Sequence, residues 1–417
     1  MAMLEHVSFT KRSMHSYRSF CDTRTWKSLK VHGDALKGVK VLHVNATPIG
    51  GGVAELLQAI VPLQRDLGID ANWVTIKAPA DFFEITKELH NALQGKVFRL
   101  DKGQIARYKE INEELAESLS EIDYDLAVIH DPQPMAMIAT YHQPPMILRI
   151  HPDASTPDRR LSRLFRPYFE AYEHLIFSHD SYIPRGIAKD RTSVMMPAID
   201  PISQKNRAMD RKEARKMLSV FGIDANRPLI VQVSRFDSWK DPKGVIQAYR
   251  IAKKRFPDLQ LVLMGILRAK DDPEAVRVFL DIQAYAGNDP DIHLLHHPED
   301  LKGLDNEKVV NAVQSGADVM LQLSTREGFG LTATEAMWKG SALIGGPARG
   351  LRMQINHGKN GYIAKNPLIA GKYLIRLLAD EDLRSKIGKE AQKRVRRDFL
   401  TPRLLLDHLR LYRQVLD

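Results

Sequence analysis

Cysteine is almost missing from this 417-residue chain: Cys21 stands alone, so no internal disulfide can form. A chain without disulfide pairing suits a reducing compartment. Long apolar runs are missing as well. The opening stretch, MAMLEHVSFTKRSMHSYRSF, scatters its apolar side chains. No later segment reaches the run of about 18 apolar residues that spans a bilayer. Neither a signal peptide nor a membrane-spanning helix is expected, and the expected location is the cytoplasm. There is no short-period repeat, no low-complexity tract, no HExxH, no paired CxxC and no GxSxG elbow. A bound metal or an acyl-enzyme serine is therefore not implied. The DYD at 123–125 resembles a metal-binding DxD, but it precedes a strand, on the side away from the strand ends where ligands bind.

What the chain does have is charge and regular patterning. Its net charge is +10, with 44% hydrophobic and 27% charged residues, the balance of a soluble globular protein. Lysine and arginine are spread along the chain, with short clusters at Arg159–Arg166 and Lys386–Arg397. No nucleic-acid motif accompanies them, so nucleic acid is not an expected partner. The segment DRRLSRLFRPYFEAY places apolar residues at 161, 164, 165, 168, 169 and 172, one helical face with a basic back. A helix packed on the protein surface is preferred here to one lying on a membrane.

Strands are expected at 39–46, 72–78, 96–100, 125–130, 145–151, 174–179 and 193–197. Between them, segments such as 104–119 repeat apolar residues at helical spacing. The pattern restarts with strands at 227–236, 260–267, 292–297, 318–324, 341–346 and 361–365, after a polar, proline-containing stretch near 197–212. Alternating strands and helices, with strands apolar on both faces, predict parallel sheets covered on both sides. The length and the restart give two doubly wound halves, and ligands in such sheets bind beyond the carboxyl ends of the strands, here expected to face one cleft.

Four segments stand at those ends. HVNATPIGGGVAELL (43–57) sets three glycines between a strand and a helix that starts near Val53. Glycines there let backbone N–H groups approach a phosphate, but a plain connecting turn would look the same. It does not match GxGxxG and has no Walker lysine. VSRFDSWKDPKG (233–244) offers Arg235 and Lys240, two cations suited to a diphosphate or to an ordinary solvated loop. RIHPDAS (149–155) ends on His151, a donor to a substrate hydroxyl or a structurally satisfied histidine, and HDPQP (130–134) adds Asp131 and Gln133 beside it. REGFGLTATEAMWKG (326–340) carries Glu327 and Glu335 around a glycine turn that opens a helix. Such a pair suggests a glycosidase acid and base, yet free amides at a helix start equally make an anion site.

Taken together, the glycine loop, R-x4-K and E-x7-E around GFGL resemble the retaining GT-B glycosyltransferases that use nucleotide sugars. Within that superfamily the chain looks most like the trehalose glycosyltransferring synthases. The segments that carry the likeness are HVNATPIGGGVAE (43–55), FFEITKELHNALQG (82–95), HDPQP (130–134), SRFDSWKDP (234–242) and EGFGLTATEAMWKG (327–340). The resemblance implies an α/β GT-B fold of two doubly wound Rossmann-like domains facing a central cleft. The acceptor-side domain would span 1–200, the nucleotide-sugar domain 201–395, and a last helix, 396–417, would return to the first.

It also implies roles. Arg235 and Lys240 would neutralise the donor diphosphate, helped by the amides of Gly328, Phe329, Gly330, Leu331 and Thr332. Glu335 would bind ribose hydroxyls, Glu327 the transferred glucose, and His151 the donor sugar near the reacting carbon. Asn45, Gly51, Gly52, Asp131, Gln133 and Asp153 would face the acceptor side, with Gly51 and Gly52 also within reach of the donor. The implied reaction is reversible transfer of glucose from a nucleoside diphosphate to free glucose, forming trehalose. The leaving phosphate would take the acceptor's proton, with no cofactor and no metal needed for binding. A trehalose phosphorylase, which shares the glycine loop, another acceptor, and a non-catalytic sugar-nucleotide binder remain alternatives, and a homodimer is left open. Departures from the family pattern fall at Lys77–Ala78, at Pro152 and Ala154, and at PARG (347–350).

Overall fold

The computed structural model describes residues 3–265 and 273–417. The chain divides into two compact units, Met1–Ala198 with Leu400–Asp417, and Ile199–Phe399.

The first unit is built on seven strands: β1 (Leu4–His6), β2 (Lys40–Asn45), β3 (Asp70–Ile76), β4 (Leu126–His130), β5 (Met146–Ile150), β6 (His174–Phe177) and β7 (Thr192–Val194). Their order is β1-β3-β2-β4-β5-β6-β7, all parallel except the edge strand β1. The inner strands β4, β5 and β6 are buried along their whole length, which is why they read as mainly apolar runs, each with a single polar residue. Asp123 pairs with Lys40 Nζ and Asp125 accepts the Lys40 N–H at 2.8 Å, so the DYD segment ties down the amino end of β2. The helix Arg159–Ala171 buries Leu161, Phe165, Tyr168 and Phe169, as a helix packed on its own protein does. The helix Thr401–Leu416 brings the end of the chain back to this unit against the helices Thr23–Ala35 and Gly52–Asp66.

One expected strand is absent. The segment 96–100 pairs with no strand: the Phe98 N–H donates to Asp158 Oδ2 at 3.1 Å, and the Arg160 guanidinium donates to the Phe98 carbonyl. Phe98 itself is buried, so the apolar residues in the segment mark an anchored loop rather than a sheet. Conversely, β1 was not expected; it is three residues long and mostly exposed, so no periodicity reveals it.

The second unit holds six parallel strands: β8 (Leu229–Val233), β9 (Gln260–Met264), β10 (Ile292–Leu295), β11 (Val319–Gln322), β12 (Ala342–Gly345) and β13 (Tyr362–Ile363). Their order is β10-β9-β8-β11-β12-β13. The end of the expected strand 260–267 lies outside the described residues. A buried cluster including Ile230, Val245, Tyr249, Leu261, Leu321 and Leu374 fills the core between this sheet and its helices. Among the described residues no helix is long and apolar enough to cross a membrane, and no group of three or more His, Cys, Asp or Glu is arranged to hold a metal ion.

Candidate active site

In the second unit the chemistry gathers where β8 and β11 end. The Ser234 N–H donates to the Met264 carbonyl at 2.9 Å, and the Ser234 carbonyl lies where a Cβ on Gly265 would be 2.0 Å away. Those two segments touch only because residue 265 lacks a side chain. The chain then forms one helical turn, Ser238–Lys240, capped by Asp237, whose carboxylate accepts the Trp239 N–H at 2.9 Å. Buried Gln232 of β8 donates to the Lys240 carbonyl at 2.8 Å, tying the lysine to the sheet. Its Nζ pairs with Glu327 Oε2, and the two side chains are only 15% and 14% exposed. Charges this far from water interact more strongly than a surface pair. Glu327 also accepts the Ser324 hydroxyl at 3.2 Å, and Ser324 accepts the Gln322 amide at 3.0 Å. Arg235 does not join this group: its side chain is 79% exposed and its nearest acid is Asp237 at 3.6 Å.

Gly330, at φ +93°, starts the helix Leu331–Trp338, which no side chain caps. The positive end of the helix dipole lies at this start, and the Glu327 side chain is close by: a Cβ on Gly330 would be 3.1 Å from Glu327 Cγ. The loop after β12 buttresses this turn. The Gly350 N–H donates to the Glu327 carbonyl at 3.2 Å, and a Cβ on Gly350 would fall 2.7 Å from backbone atoms of Glu327 and Phe329. Buried Gln354 donates to the Phe329 carbonyl at 2.6 Å and accepts the Thr334 hydroxyl at 2.8 Å. The Phe329 ring packs edge-on against Phe399 with centroids 5.3 Å apart, so this side chain belongs to the core.

Glu335 is 1% exposed, and both of its oxygens are engaged. Oε1 meets Lys205 Nζ at 2.8 Å and Oε2 accepts the Gln314 amide at 3.1 Å. Lys339 donates to Gln314 Oε1 at 2.6 Å, and burial pushes its ammonium down to about 7. The carboxylate that the family likeness assigns to ribose hydroxyls thus sits in a buried network with two lysines, neither of which the motif reveals.

In the first unit the strand ends of β4 and β5 meet directly. Asp131, in the left-handed region at φ +67°, accepts the His151 N–H at 2.9 Å, and its own N–H donates to the Arg149 carbonyl at 2.9 Å. Burial pushes its carboxyl up to about 7. Gln133 Oε1 is buried without a hydrogen-bond partner, an acceptor left over beside these groups. Asn45 and Asp153 are occupied locally. Asn45 accepts the Trp73 indole N–H at 2.6 Å and donates to the Thr47 carbonyl at 2.8 Å, and Asp153 accepts the Ser155 N–H at 2.9 Å. Gly51, at φ +114°, opens the helix Gly52–Asp66 with no side-chain cap. His151 is bonded through Nε2 to His130 Nδ1 at 3.0 Å, and His130 through Nε2 to His43 Nδ1 at 3.1 Å. The sequence signal for these partners was a histidine interrupting each of two otherwise apolar strands, VKVLHVNA and DLAVIH.

Residues 43–184 match the family model described as trehalose synthase, N-terminal domain, and residues 213–394 match that of glycosyl transferases group 1. The trehalose synthase of Rubrobacter xylanophilus is 39% identical over 421 residues, covering 99% of this chain and 100% of that protein. The chain belongs to the trehalose synthases. As members of this family are, it is a hexosyltransferase. A more distant relative, a trehalose phosphorylase of Pleurotus pulmonarius, is 27% identical and matches 92% of this chain but only 58% of its own length. Among solved structures, a UDP-forming α,α-trehalose-phosphate synthase of Burkholderia xenovorans, in complex with glucose 6-phosphate, superposes with a TM-score of 0.69 at 14% identity. It covers 91% of this chain and 100% of its own. That likeness establishes the GT-B fold.

Proposed function

We propose that the chain transfers glucose, with retention, from a nucleoside-diphosphate-glucose to the anomeric hydroxyl of free glucose, forming trehalose and the nucleoside diphosphate. The observation that carries this reading is the Lys240 ammonium, drawn out of water onto Glu327 beside the uncapped helix start at Gly330. A cation and the positive end of a helix lie on either side of Glu327 there, the groups that a departing diphosphate requires. The donor's C1–O bond breaks with its electrons going to the diphosphate, the acceptor oxygen bonds C1 from the same face, and its proton passes to the leaving phosphate. Glu327 would hold hydroxyls of the transferred glucose, and Arg235 would reach the diphosphate from its exposed position. Asp131, Gln133 and His151 supply hydrogen-bonding groups of different kinds for sugar hydroxyls. Catalysis on this reading is positioning and charge stabilisation rather than acid–base work by a glutamate pair.

The test is product analysis with ADP-, UDP- and GDP-glucose, each offered to glucose and to a panel of other sugars. Trehalose from at least one donor with glucose is expected. Its absence with all three would overturn the proposal, whereas turnover of trehalose with inorganic phosphate and no nucleotide would identify a phosphorylase instead.

A further inference from the structure

Behind His151 a continuous line of side chains runs through the core of the first unit. His151 bonds His130, His130 bonds His43, and His43 Nε2 lies 3.1 Å from Gln64 Oε1 and 3.4 Å from the Tyr412 hydroxyl. Gln64 Nε2 is 3.1 Å from that hydroxyl, His408 Nδ1 is 3.0 Å from it, and His408 Nε2 is 2.6 Å from an Arg149 guanidinium nitrogen. His43, Gln64, His130, Arg149, His408 and Tyr412 are all buried.

Arginine donates and never accepts, so it fixes the sense of the first bond: His408 Nε2 accepts from Arg149. Burial pushes all four imidazoles down, His43 to about 4, so each carries a single hydrogen near neutrality. That of His408 is then on Nδ1 and is donated to the Tyr412 oxygen. Burial pushes the phenol up, and it keeps its own hydrogen, which needs an acceptor. With the Gln64 amide nitrogen towards Tyr412 and its oxygen towards His43, the phenol receives two bonds. Its hydrogen can then reach only His43 Nε2, which already donates to the amide. Turning the amide by half a rotation removes the conflict. Tyr412 donates to the amide oxygen, the amide nitrogen donates to His43 Nε2, and each contact then joins one donor to one acceptor, the outcome that buried polar groups favour. His43 and His130 then each donate from Nδ1 to the next ring.

We propose that hydrogen-bond donation runs one way along this line, from Arg149 to His151, and that it holds His151 with its hydrogen on Nδ1. His151 Nε2 is committed to accepting from His130, and Nδ1–H is left as a donor to a sugar oxygen. The line sets the tautomer of the histidine that follows β5, so its members are positioning residues. This rests on the reading of His151 as a substrate contact, but the tautomer is a property of the enzyme without substrate.

The experiment is nitrogen-15 NMR of histidine-labelled full-length enzyme, with His151 assigned by its loss in His151→Gln, followed by the same measurement on Tyr412→Phe. Wild-type His151 is expected as the neutral Nδ1–H form. Without the phenol, the amide oxygen is free to accept from His43 Nε2, every donation reverses, and His151 should move its hydrogen to Nε2. In the same variant kcat should fall about 10- to 100-fold, as for other partners that orient a functional histidine, with KM changed far less. Nε2–H in the wild type would overturn the proposal, and so would an unchanged tautomer in folded Tyr412→Phe. If that variant does not fold, the wild-type spectrum decides alone. Because no turnover is needed, an enzyme that makes no trehalose yet shows Nδ1–H would overturn the proposed reaction and leave this inference standing.

Discussion

Lys240 and Arg235 lie five positions apart in one motif, yet the fold treats them differently. The lysine is inside, bonded to Glu327, while the arginine is in solvent. Lys240→Ala should therefore lower turnover by about 10²- to 10³-fold, the loss typical of removing one preorganised stabilising group, with an unchanged circular dichroism spectrum. Arg235→Ala should cost less and show a steeper dependence on ionic strength, measured as initial rate against salt. Glu335 calls for a different expectation. Its replacement by alanine removes a carboxylate that is 1% exposed and bonded by both Lys205 and Gln314, and breaking such a buried pair costs about 3–5 kcal/mol, so urea unfolding of Glu335→Ala should show a large loss of stability alongside any loss of activity. A Glu335→Ala protein as stable as the wild type would overturn this expectation. The motif residues were legible because glycines, cations and carboxylates at strand ends have a local reason to be noticed. Lys205, Gln314 and Gln354 were not, because each acts on a residue distant in sequence and leaves no local pattern.

At the scale of elements, the strands were readable wherever burial on both faces produced a continuous apolar run. The reading failed at 96–100, where equally apolar residues are held by Asp158 and Arg160, and at β1, which has only three residues to show. Periodicity reports burial, and it cannot report whether the partner is a strand or a side chain. The loop at 347–350, noted in the sequence only as a departure from the family, turns out to be the brace of the 327–330 turn. Gly350→Ala would press a methyl group into the backbone at Glu327 and Phe329. We expect overpacking of about 1–3 kcal/mol in thermal or urea melts, with a disproportionate fall in turnover, since displacing positioned groups by about 1 Å can cost 10²-fold.

For the molecule as a whole, the buried histidines dictate a response to acid. Their folded-state pKa values lie below the ordinary 6.5, that of His43 at about 4, so the stability they contribute is fully present above 6.5 and is lost as pH falls towards 4. Asp131 acts in the opposite sense. Its pKa is raised from 3.8 to about 7, so its contribution is present below 3.8 and disappears as pH rises through 7. Both effects fall in the same window, with four groups opposing one, so melting temperature should fall as pH drops below 6.5, less steeply than the histidines alone would make it, and these groups should leave it level above 7. Asp131→Asn removes that offset, so the acid limb between pH 7 and 4 should become steeper while the plateau above 7 keeps its shape.

The first unit is also assembled from both ends of the chain, since Leu400–Asp417 completes what Met1–Ala198 begins. During synthesis, at about 5–20 residues per second, the whole of the continuous second unit is made before the first receives its closing helix. His43 and Gln64 must wait for Tyr412 and His408, which are made more than 300 residues later. The nascent first half would thus hold an incomplete polar interior for tens of seconds, and a chaperone that binds nascent chains would meet it in that interval.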